Sequence, residues 1–392
     1  MRVAISGMFW GQPTVGSGQY LRGLLDALAR AAPEHEFVLL LPRDDQRPTT
    51  NDQGLEKNSP LVLGLSSFVV RTPFDGRSEN LAKLWFEQVG VPLAAARLRA
   101  DLLHVPYFAP PLWSPAPVVA TVLDIIPLLL PEYRGGAGVR AYMRLVSRAA
   151  RRAAHVIAIS DDSRGDIVER LGCPPEQVTT IPLAAGAQFR PLDRARAAEL
   201  VAERYGLCGP FVYYVGGLDA RKNLETLLRA WRQLRRAGGP RATLALAGRA
   251  LGRDARLFPD LDALIAALGI QGSVARIDVP YADSPLLFSA ATAFAYPSRY
   301  EGFGLPPLEA MACGTPAAVA DASSLPEVVG DAALRVPPDD LPGWVAALWR
   351  LLGDPALRGE LSRRGLERAA DFSYERAAQA TLEVYAAARR PG

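Results

Sequence analysis

The sequence contains few of the residues that build disulfide frameworks and metal sites. Its 392 residues include three cysteines and three histidines, and the cysteines (Cys173, Cys208 and Cys313) lie far apart. An odd and widely spaced set of cysteines matches neither a disulfide framework nor a zinc motif. No Asp-x-Asp pair stands in a loop suited to a divalent ion. We therefore expect no metal, no cofactor and a reducing, cytoplasmic setting.

Long apolar segments are also absent. No window of the sequence reaches roughly 18 uninterrupted apolar residues, the length that indicates a membrane-spanning helix. From Met1 the chain passes directly into a strand-like segment, without the apolar core of a signal peptide. The net charge of +3 is too small to indicate nucleic acid as a partner. We expect a cytoplasmic protein that does not bind nucleic acid.

The composition is that of a globular protein, and the length suits two domains. Hydrophobic residues make up 49% and charged residues 22%, which is ordinary for such proteins, and 392 residues exceed one ordinary core. Short apolar runs alternate with helical patterns, which predicts βαβ units on a buried parallel sheet. The pattern restarts at Phe211 to Val215, so we expect two doubly wound α/β domains that meet between Ile181 and Gly209.

The individual elements follow from the same patterns. Strands are predicted at Arg2 to Ser6, Phe37 to Leu41, Val118 to Val122, His155 to Ile159, Phe211 to Val215, Ala242 to Ala247, Val274 to Ile277, Ala293 to Tyr296 and Ala317 to Ala320. Helices are predicted at Tyr20 to Arg30, Leu224 to Ala237 and Tyr374 to Ala388.

Two glutamates flank a glycine-rich turn in the segment Glu301-Gly-Phe-Gly-Leu-Pro-Pro-Leu-Glu309. The turn follows a predicted strand and opens a short helix, whose free N–H groups and dipole favour an anion such as phosphate. Carboxylates are suited to hydroxyl groups. Together these features indicate a nucleotide sugar. The alternative is that Glu309 only complements the helix dipole and that Glu301 is a solvated loop residue.

Two adjacent cations, Arg221 and Lys222, follow the first strand of the second domain. Cations at a helix start are unfavourable by themselves, which indicates an anion between them. Arg as a planar fork and Lys as a point charge can neutralise a diphosphate and stabilise the charge of a leaving group. A solvated basic helix start is the alternative interpretation.

The first domain has weaker candidates. The turn Gly16-Ser17-Gly18 lies between the first strand and the helix predicted to start near Tyr20, where glycines allow a phosphate to approach the backbone. A plain turn is equally consistent with it. Asp124 and His104 stand where strands meet loops and could contact hydroxyls of the acceptor or donor. A helix cap for Asp124 and a core imidazole for His104 are the structural alternatives.

A basic amphipathic helix is predicted near residue 145. Five cations recur at nearly every helical turn, among apolar side chains: Arg140, Arg144, Arg148, Arg151 and Arg152. Such a helix is typical of peripheral contact with anionic lipid on the inner face of a membrane. A solvated surface is the alternative.

Taken together, the Arg221-Lys222 pair and the Glu301 to Glu309 loop strongly resemble retaining glycosyltransferases of family 4, which have the GT-B fold. The match is densest from Val212 to Pro338. It implies two Rossmann-like domains facing a deep cleft: an acceptor domain at 1–188 and a donor domain at 189–370. Residues 371–392 would form a C-terminal helix that crosses back to the first domain.

The resemblance also implies roles for matching residues. Arg221 and Lys222 would hold the donor diphosphate, Glu301 would contact the transferred sugar, and Glu309 would bind the ribose. The remaining positions would act through their backbone: Phe303, Gly304 and Leu305 at sugar and phosphate, Val279 at the base, and Gly16, Ser17 and Gly18 at the phosphates.

The chain departs from the family pattern at two positions. Leu123 stands where many relatives carry a histidine that contacts the donor sugar, and Gly217 stands where some carry a cation or hydroxyl. Asp124 or His104 would have to compensate for the missing imidazole, and the phosphate contacts would depend more heavily on Arg221 and Lys222.

The predicted function is transfer of a hexose, mannose or glucose, from a GDP- or UDP-sugar to a glycan or lipid-linked acceptor. The catalytic residues would be Glu301, Arg221, Lys222 and Asp124. A GT-B epimerase, a phosphorylase-like enzyme and a non-catalytic glycan-binding protein are the alternatives. A dinucleotide dehydrogenase is disfavoured because the glycine fingerprint is missing.

Overall fold

The structure is a computed structural model that describes residues 1–42, 65–250, 252 and 254–389. The chain forms two compact units. The first comprises Met1–Ala184 with Ser373–Gly392, and the second comprises Ala185–Phe372. The division falls within the boundary region predicted from the sequence, slightly ahead of residue 189. Residues 390–392 of the predicted C-terminal segment lie outside the described residues.

A parallel sheet of seven strands forms the centre of the first unit, in the spatial order β3-β2-β1-β4-β5-β6-β7. This is the order of a doubly wound sheet, in which the chain adds strands on one side of β1 and then on the other. The strands are β1 (Arg2–Ser6), β2 (Glu36–Pro42), β3 (Leu65–Val70), β4 (Leu102–Val105), β5 (Val118–Val122), β6 (His155–Ala158) and β7 (Val178–Thr180).

Helices connect these strands. They are α1 (Gly16–Ala31), α2 (Glu79–Trp85), α3 (Val91–Arg97), α4 (Ile126–Leu129), α5 (Ala137–Ala150) and α6 (Asp161–Asp166). A π-helical turn at Phe86–Gly90 joins α2 directly to α3, and another at Ile167–Leu171 extends α6. Single 3-10 turns lie at Pro131–Tyr133 and Pro175–Gln177.

A parallel sheet of six strands forms the centre of the second unit, in the order β10-β9-β8-β11-β12-β13. The strands are β8 (Phe211–Val215), β9 (Thr243–Ala247), β10 (Val274–Ile277), β11 (Ala293–Tyr296), β12 (Ala317–Ala320) and β13 (Leu334–Val336). The central strands are buried almost throughout, which explains their nearly continuous apolar sequences.

The second unit has eight helices within the described residues. They are α7 (Arg194–Tyr205), α8 (Leu224–Arg236), α9 (Leu261–Leu268), α10 (Ser284–Ala290), α11 (Leu305–Ala312), α12 (Leu325–Val329), α13 (Leu341–Gly353) and α14 (Pro355–Ala369). Short 3-10 turns lie at Ala220–Lys222, Gln271–Ser273 and Tyr281–Asp283.

The last helix, α15 (Tyr374–Ala388), belongs to the first unit although it follows the second in sequence. It packs along α1, where a side chain at Gly23 would overlap the Tyr374 ring. Glycine at this position therefore allows the two helices to approach closely. This is the return of the C-terminal helix that the family resemblance implies.

Helix α1 begins at Gly16, one turn before the start predicted near Tyr20. Two glycines in the first turn weaken the helical pattern in the sequence, but the packed apolar face beyond them extends the helix. Gly16, Ser17 and Gly18 are therefore helical and do not form a loop. None of the helices in the described ranges combines the length and hydropathy that a bilayer crossing requires.

Candidate active site

The predicted motifs of the second unit meet where its strand order reverses, between β8 and β11. Ligands in open α/β sheets bind at such a switch point, beyond the carboxyl ends of the strands. The segment with Arg221 and Lys222 follows β8, and the segment with Glu301 follows β11. The topology alone therefore brings the cations and the glutamate to one edge of the sheet.

Lys222, Tyr296 and Glu301 form a buried polar cluster at this edge. Lys222 Nζ donates to Glu301 Oε1 and to the Tyr296 hydroxyl, each at 2.6 Å. The same hydroxyl donates to Glu301 Oε1 at 3.0 Å, and the ammonium lies 5.0 Å from the centroid of the Tyr296 ring. The Lys222 and Glu301 side chains are only 9% and 13% exposed, so these contacts hold both charges away from bulk water.

Arg221 completes the cluster. Its Nη1 lies 3.0 Å from Glu301 Oε1 and donates to the Tyr300 carbonyl at 2.6 Å, while its Nε lies 3.4 Å from Asp219 Oδ1. Two carboxylates thus balance two cations. The guanidinium and the ammonium converge on one oxygen of Glu301, and Oε2 takes no part in these contacts.

The electrostatics keep Glu301 ionised. Burial by itself raises the pKa of this carboxyl, but the charges of Lys222 and Arg221 outweigh burial and bring the pKa down to about 2. Burial also lowers the pKa of the Lys222 ammonium, and Glu301 offsets part of that effect. At neutral pH Glu301 is therefore an acceptor of hydrogen bonds and not a proton donor.

The turn after Glu301 provides backbone donors. Gly304 has a φ of 127°, a conformation that favours glycine. Pro306 and Pro307 occupy the first turn of α11 and carry no N–H group. The N–H groups of Phe303, Gly304 and Leu305, which precede the prolines, are thus the donors at this helix start. The sequence predicts a helix start rich in free N–H groups, and the start of α11 provides these three.

Two serines hold this turn in place. Ser323 Oγ accepts a hydrogen bond from the Glu301 N–H at 2.8 Å. Ser324 Oγ lies 2.9 Å from the Glu301 carbonyl and 2.6 Å from that of Phe303, to which it donates. Both serines lie in the segment from Val212 to Pro338 that resembles the family, but their residue types alone indicate no role. No local sequence pattern links these serines to Glu301, because the contact is tertiary.

Glu309 is buried on α11, and one of its carboxyl oxygens receives no hydrogen bond from the described residues. It is 5% exposed, and its Oε1 has no hydrogen-bond partner among the described residues. Burial raises the pKa of Glu309 to about 8. The Tyr213 hydroxyl, also without a described partner, is close enough for the Glu309 charge to raise its pKa further. The alternative of a glutamate that merely complements the helix dipole does not fit this burial.

The glycines at the start of α1 have different environments. Gly16 is exposed and Ser17 is half-buried. Gly18 is buried, and a side chain there would overlap the Gln12 carbonyl oxygen. The need for glycine at position 18 therefore comes from the protein's own backbone. The first turn of α1 follows the carboxyl end of β1, as the predicted phosphate role requires.

His104 lies in the core of the first unit. Its Nδ1 is 2.7 Å from the Tyr385 hydroxyl and its Nε2 is 2.9 Å from Thr121 Oγ1. It is completely buried, and burial lowers its pKa to about 3. Both ring nitrogens are thus engaged within the protein. The expectation that His104 faces an acceptor does not match this geometry, which is that of the core imidazole alternative.

Two further candidate positions lie in loops. Asp124 is half-buried after β5, and its Oδ1 accepts from the N–H of Ile126, the first residue of α4, at 3.2 Å. Leu123 beside it is half-buried and supplies no imidazole. Val279 follows β10 and is also half-buried. The proposed roles of Asp124 and Val279 remain predictions.

The basic helix predicted near residue 145 is α5 with the turn that follows it. All five of its arginines are exposed: Arg140, Arg144, Arg148, Arg151 and Arg152. Two of them bind backbone carbonyls, Arg140 that of Gly135 and Arg151 that of Leu171. The helix therefore presents a cationic outer face.

Sequence comparisons decide the family. Residues 15–185 match Glycosyltransferase Family 4, and residues 207–368 match Glycosyl transferases group 1. The O-antigen chain mannosyltransferase B of Escherichia coli is 33% identical over 380 residues, which cover 95% of this chain and 96% of that protein. The chain belongs to glycosyltransferase family 4. The resemblance that its motifs indicate is confirmed.

This family 4 glycosyltransferase has further relatives. The serotype-specific mannosyltransferase WbdA of Escherichia coli is 28% identical over 390 residues, covering 94% of this chain and 46% of WbdA. The D-inositol 3-phosphate glycosyltransferase of Salinispora arenicola is 34% identical over 241 residues, covering 59% of this chain and 54% of that protein. Two of these three relatives are named mannosyltransferases.

Solved structures confirm the fold of this glycosyltransferase. Sucrose-phosphate synthase from Thermosynechococcus elongatus has a TM-score of 0.75 at 22% identity, covering 98% of both chains. Anabaena HepE in complex with UDP-glucose has a TM-score of 0.73 at 20% identity, covering 98% of this chain and 99% of that one. At these identities the likeness shows the fold alone, which is GT-B.

Proposed function

We propose that this glycosyltransferase moves a hexose, mannose or glucose, from a nucleoside diphosphate sugar to a glycan or lipid-linked acceptor, with retention of anomeric configuration. The observation that carries the proposal is the buried cluster of Arg221, Lys222 and Glu301 at the switch point of the second sheet. Cations and a carboxylate held together there match the phosphate and hydroxyl groups of one ligand. The two relatives named as mannosyltransferases favour mannose.

The donor diphosphate would bind Lys222 and Arg221. The ammonium carries three donors, and Tyr296 and Glu301 engage two of them, which leaves one for a phosphate oxygen. The N–H groups of Phe303, Gly304 and Leu305 would add neutral donors. A phosphate role for Gly16, Ser17 and Gly18 stays a prediction; they form the first turn of α1, where a helix N-terminus favours negative charge.

The nucleoside would bind beside the diphosphate. The ribose would donate its hydroxyls to Glu309, whose Oε1 lacks a donor among the described residues, and the base would contact the backbone near Val279. GDP and UDP are the proposed nucleotides. Anabaena HepE has been solved with UDP and with UDP-glucose, which is consistent with a nucleoside diphosphate at this fold.

Transfer would proceed on one face of the sugar. Ionised Glu301 would accept hydrogen bonds from sugar hydroxyls and orient the ring. The bond between the anomeric carbon and the phosphate oxygen would break while the acceptor hydroxyl attacks from the same face, and the leaving phosphate would take the acceptor's proton. Lys222 and Arg221 would stabilise the charge that develops on the phosphate. Neither a cofactor nor a metal ion is part of this proposal.

The first unit would bind the acceptor. Asp124, half-buried after β5, is the residue we propose there, because Leu123 provides no imidazole and His104 is enclosed in the core. For a lipid-linked acceptor, the cationic outer face of α5 would contact anionic lipid from the cytoplasmic side. Each cation near such a surface contributes about 1 kcal/mol.

The test is a thermal-shift screen with GDP-, UDP- and ADP-sugars, followed by a transfer assay. A ligand at 100 times its dissociation constant adds about 2.7 kcal/mol of stability. We expect one nucleotide to stabilise the protein and its sugar donor to release nucleoside diphosphate only when an acceptor is present. Release of nucleoside diphosphate without an acceptor indicates hydrolysis of the donor, and conversion of the donor to its epimer without release indicates an epimerase. Donor binding without any turnover indicates a glycan-binding protein.

A further inference from the structure

The cationic helix α5 exposes one large apolar side chain, Val139, which is 43% exposed. Tyr142, Met143 and Val146 pack on the hydrophobic core of the first unit, so apart from Val139 the large exposed side chains of α5 are arginines. Cations alone attract a protein to an anionic surface, but stable interfacial binding also needs apolar side chains that enter the lipid. One valine supplies little apolar surface, so further apolar side chains have to come from another element.

The helical segment Glu79–Arg97 exposes such side chains. Leu81, Leu84, Val89 and Leu93 are each 37–48% exposed, and we call them the apolar ridge. The π-helical turn at Phe86–Gly90 adds residues to one turn of the segment and keeps the last two of these side chains on the same side as the first two. Four large apolar side chains exposed along one helical segment are a feature that marks an interaction surface.

Trp113 extends the apolar ridge. It is 61% exposed, the largest fraction among the exposed large apolar side chains of the described residues. Gln88, on the ridge segment, accepts from the Leu112 N–H at 3.1 Å and donates to the Pro110 carbonyl at 3.2 Å. These two bonds attach the loop that carries Trp113 to the helix. An exposed tryptophan fixed in this manner is typical of a membrane interface.

The apolar ridge lies beside cations. Arg152 and Trp113 line the same surface depression. Lys83, on the ridge segment, lies 5.6 Å from the ring centroid of Tyr142 on α5, and Tyr142 donates to Glu87 at 2.7 Å. Glu87 itself is buried, so it does not offset the surface charge. Helix α5 contains no acidic residue.

We propose that the apolar ridge and Trp113 insert into the headgroup region of an anionic bilayer, while the arginines of α5 contact the lipid phosphates. The proposal extends the membrane contact in the proposed function and rests on it. A lipid surface fits better than a second copy of the chain, because a symmetric dimer through this surface would bring the arginines of the two α5 helices toward one another. An anionic bilayer supplies both the apolar phase and the missing negative charge.

The experiment is co-sedimentation of the full chain with vesicles of phosphatidylcholine, with and without phosphatidylglycerol. We expect binding to anionic vesicles, weakened by about fivefold for each arginine removed in Arg148→Gln and Arg152→Gln. We expect Leu84→Ser with Leu93→Ser to weaken binding by at least roughly tenfold. The matched control is Leu366→Ser, an equally exposed leucine on α14 of the second unit, which should bind as the parent protein does.

Several outcomes would overturn the proposal. One is a parent protein that does not bind anionic vesicles, and another is a ridge variant that binds as well as the Leu366→Ser control. A change from dimer to monomer in the ridge variant, seen by sedimentation velocity with unchanged vesicle binding, would assign the surface to a second copy. Transfer to a water-soluble acceptor should be equal in all these proteins. If the parent protein transfers no sugar, the proposed function is contradicted. The vesicle experiment then still decides whether this surface binds lipid.

Discussion

Lys222 Nζ lies 2.6 Å from Glu301 Oε1, although the two residues are 79 positions apart in the chain. The contact exists because β8 and β11 are neighbours at the switch point of the second sheet. It keeps the glutamate ionised and directs the ammonium toward the edge where ligands bind. The contact thus links two charged motifs that are far apart in the sequence.

Removing either cation should impair transfer. We expect Lys222→Ala and Arg221→Ala each to lower kcat/KM by roughly 10² to 10³, which corresponds to about 2.7 to 4 kcal/mol of transition-state stabilisation. The reason is that charge on the leaving diphosphate loses a buried donor. Steady-state kinetics with the identified donor would measure this.

The control for these variants is Arg229→Ala. Arg229 is an exposed arginine on α8 that pairs with Glu225, so its removal should leave kcat/KM unchanged. Circular dichroism and thermal unfolding would verify that each variant is folded. Normal turnover of folded Lys222→Ala would contradict the phosphate role.

Glu301→Gln should separate transfer from nucleotide binding. The change removes the negative charge beside Lys222 and Arg221, so the affinity for nucleoside diphosphate should stay equal or increase. Transfer should fall by at least roughly 10²-fold because the sugar loses an ionised acceptor. Isothermal calorimetry with the nucleotide and kinetics with the donor sugar provide the two numbers. Equal losses in both would mean that Glu301 only maintains the structure.

Nucleotide binding should release a proton from Glu309. The pKa of this carboxyl in the free protein is about 8, and ribose hydroxyls that donate to it favour the ionised form. Affinity should therefore rise as pH increases toward 8 and then level off. Calorimetry in buffers of different ionisation enthalpy would count the protons. Because the nucleotide also titrates, the comparison is with Glu309→Gln, and an identical pH profile would contradict the ribose role.

The same substitution should stabilise the free protein at alkaline pH. A carboxyl whose pKa is raised from 4.5 to about 8 favours the folded state below pH 4.5, and that contribution disappears as pH rises toward 8. Glu309→Gln removes the cost of burying the charge, and the gain at pH 8 should be on the order of 2 to 4 kcal/mol. Urea unfolding at pH 5 and pH 8 would test this; a variant less stable than the parent at pH 8 is the contrary result.

Tyr385 should stabilise the first unit through His104. Tyr385→Phe leaves His104 Nδ1 buried without its partner, which should cost about 1 to 3 kcal/mol of unfolding free energy and leave nucleotide binding unchanged. Burial lowers the pKa of His104 from 6.5 to about 3, so the contribution of the neutral imidazole is present above pH 6.5 and disappears as pH falls toward 3. His104→Gln should reduce this loss in acid; an unchanged acid profile would contradict a buried neutral imidazole.

Several strands could be predicted from the sequence because both of their faces are buried. The predicted bounds of β1, β5, β8 and β11 coincide with those in the structure, since strands buried on both faces have continuous apolar sequences. Strand β3 was not predicted: it lies at the sheet edge, and its sequence LSSFVV is partly exposed. Its polar residues therefore hide the pattern.

The residues of the candidate site likewise fall into those that the sequence reveals and those that it does not. Arg221, Lys222, Glu301 and Glu309 could be selected because charge beside a strand end or a glycine turn is a local feature. Tyr296, which forms hydrogen bonds with both Lys222 and Glu301, could not be identified as a site residue. At this position the sequence shows only the end of a strand.

By itself, the sequence determined the alternation of strands and helices, the restart that makes two units, and the charged motifs of family 4, since each depends on residues close together in the chain. Only the tertiary structure decided that Lys222 and Glu301 share one buried cluster, that His104 is enclosed by Tyr385 and Thr121, and that the apolar side of α5 faces inward. Burial and pairing depend on partners that are remote in sequence, and no local pattern records them.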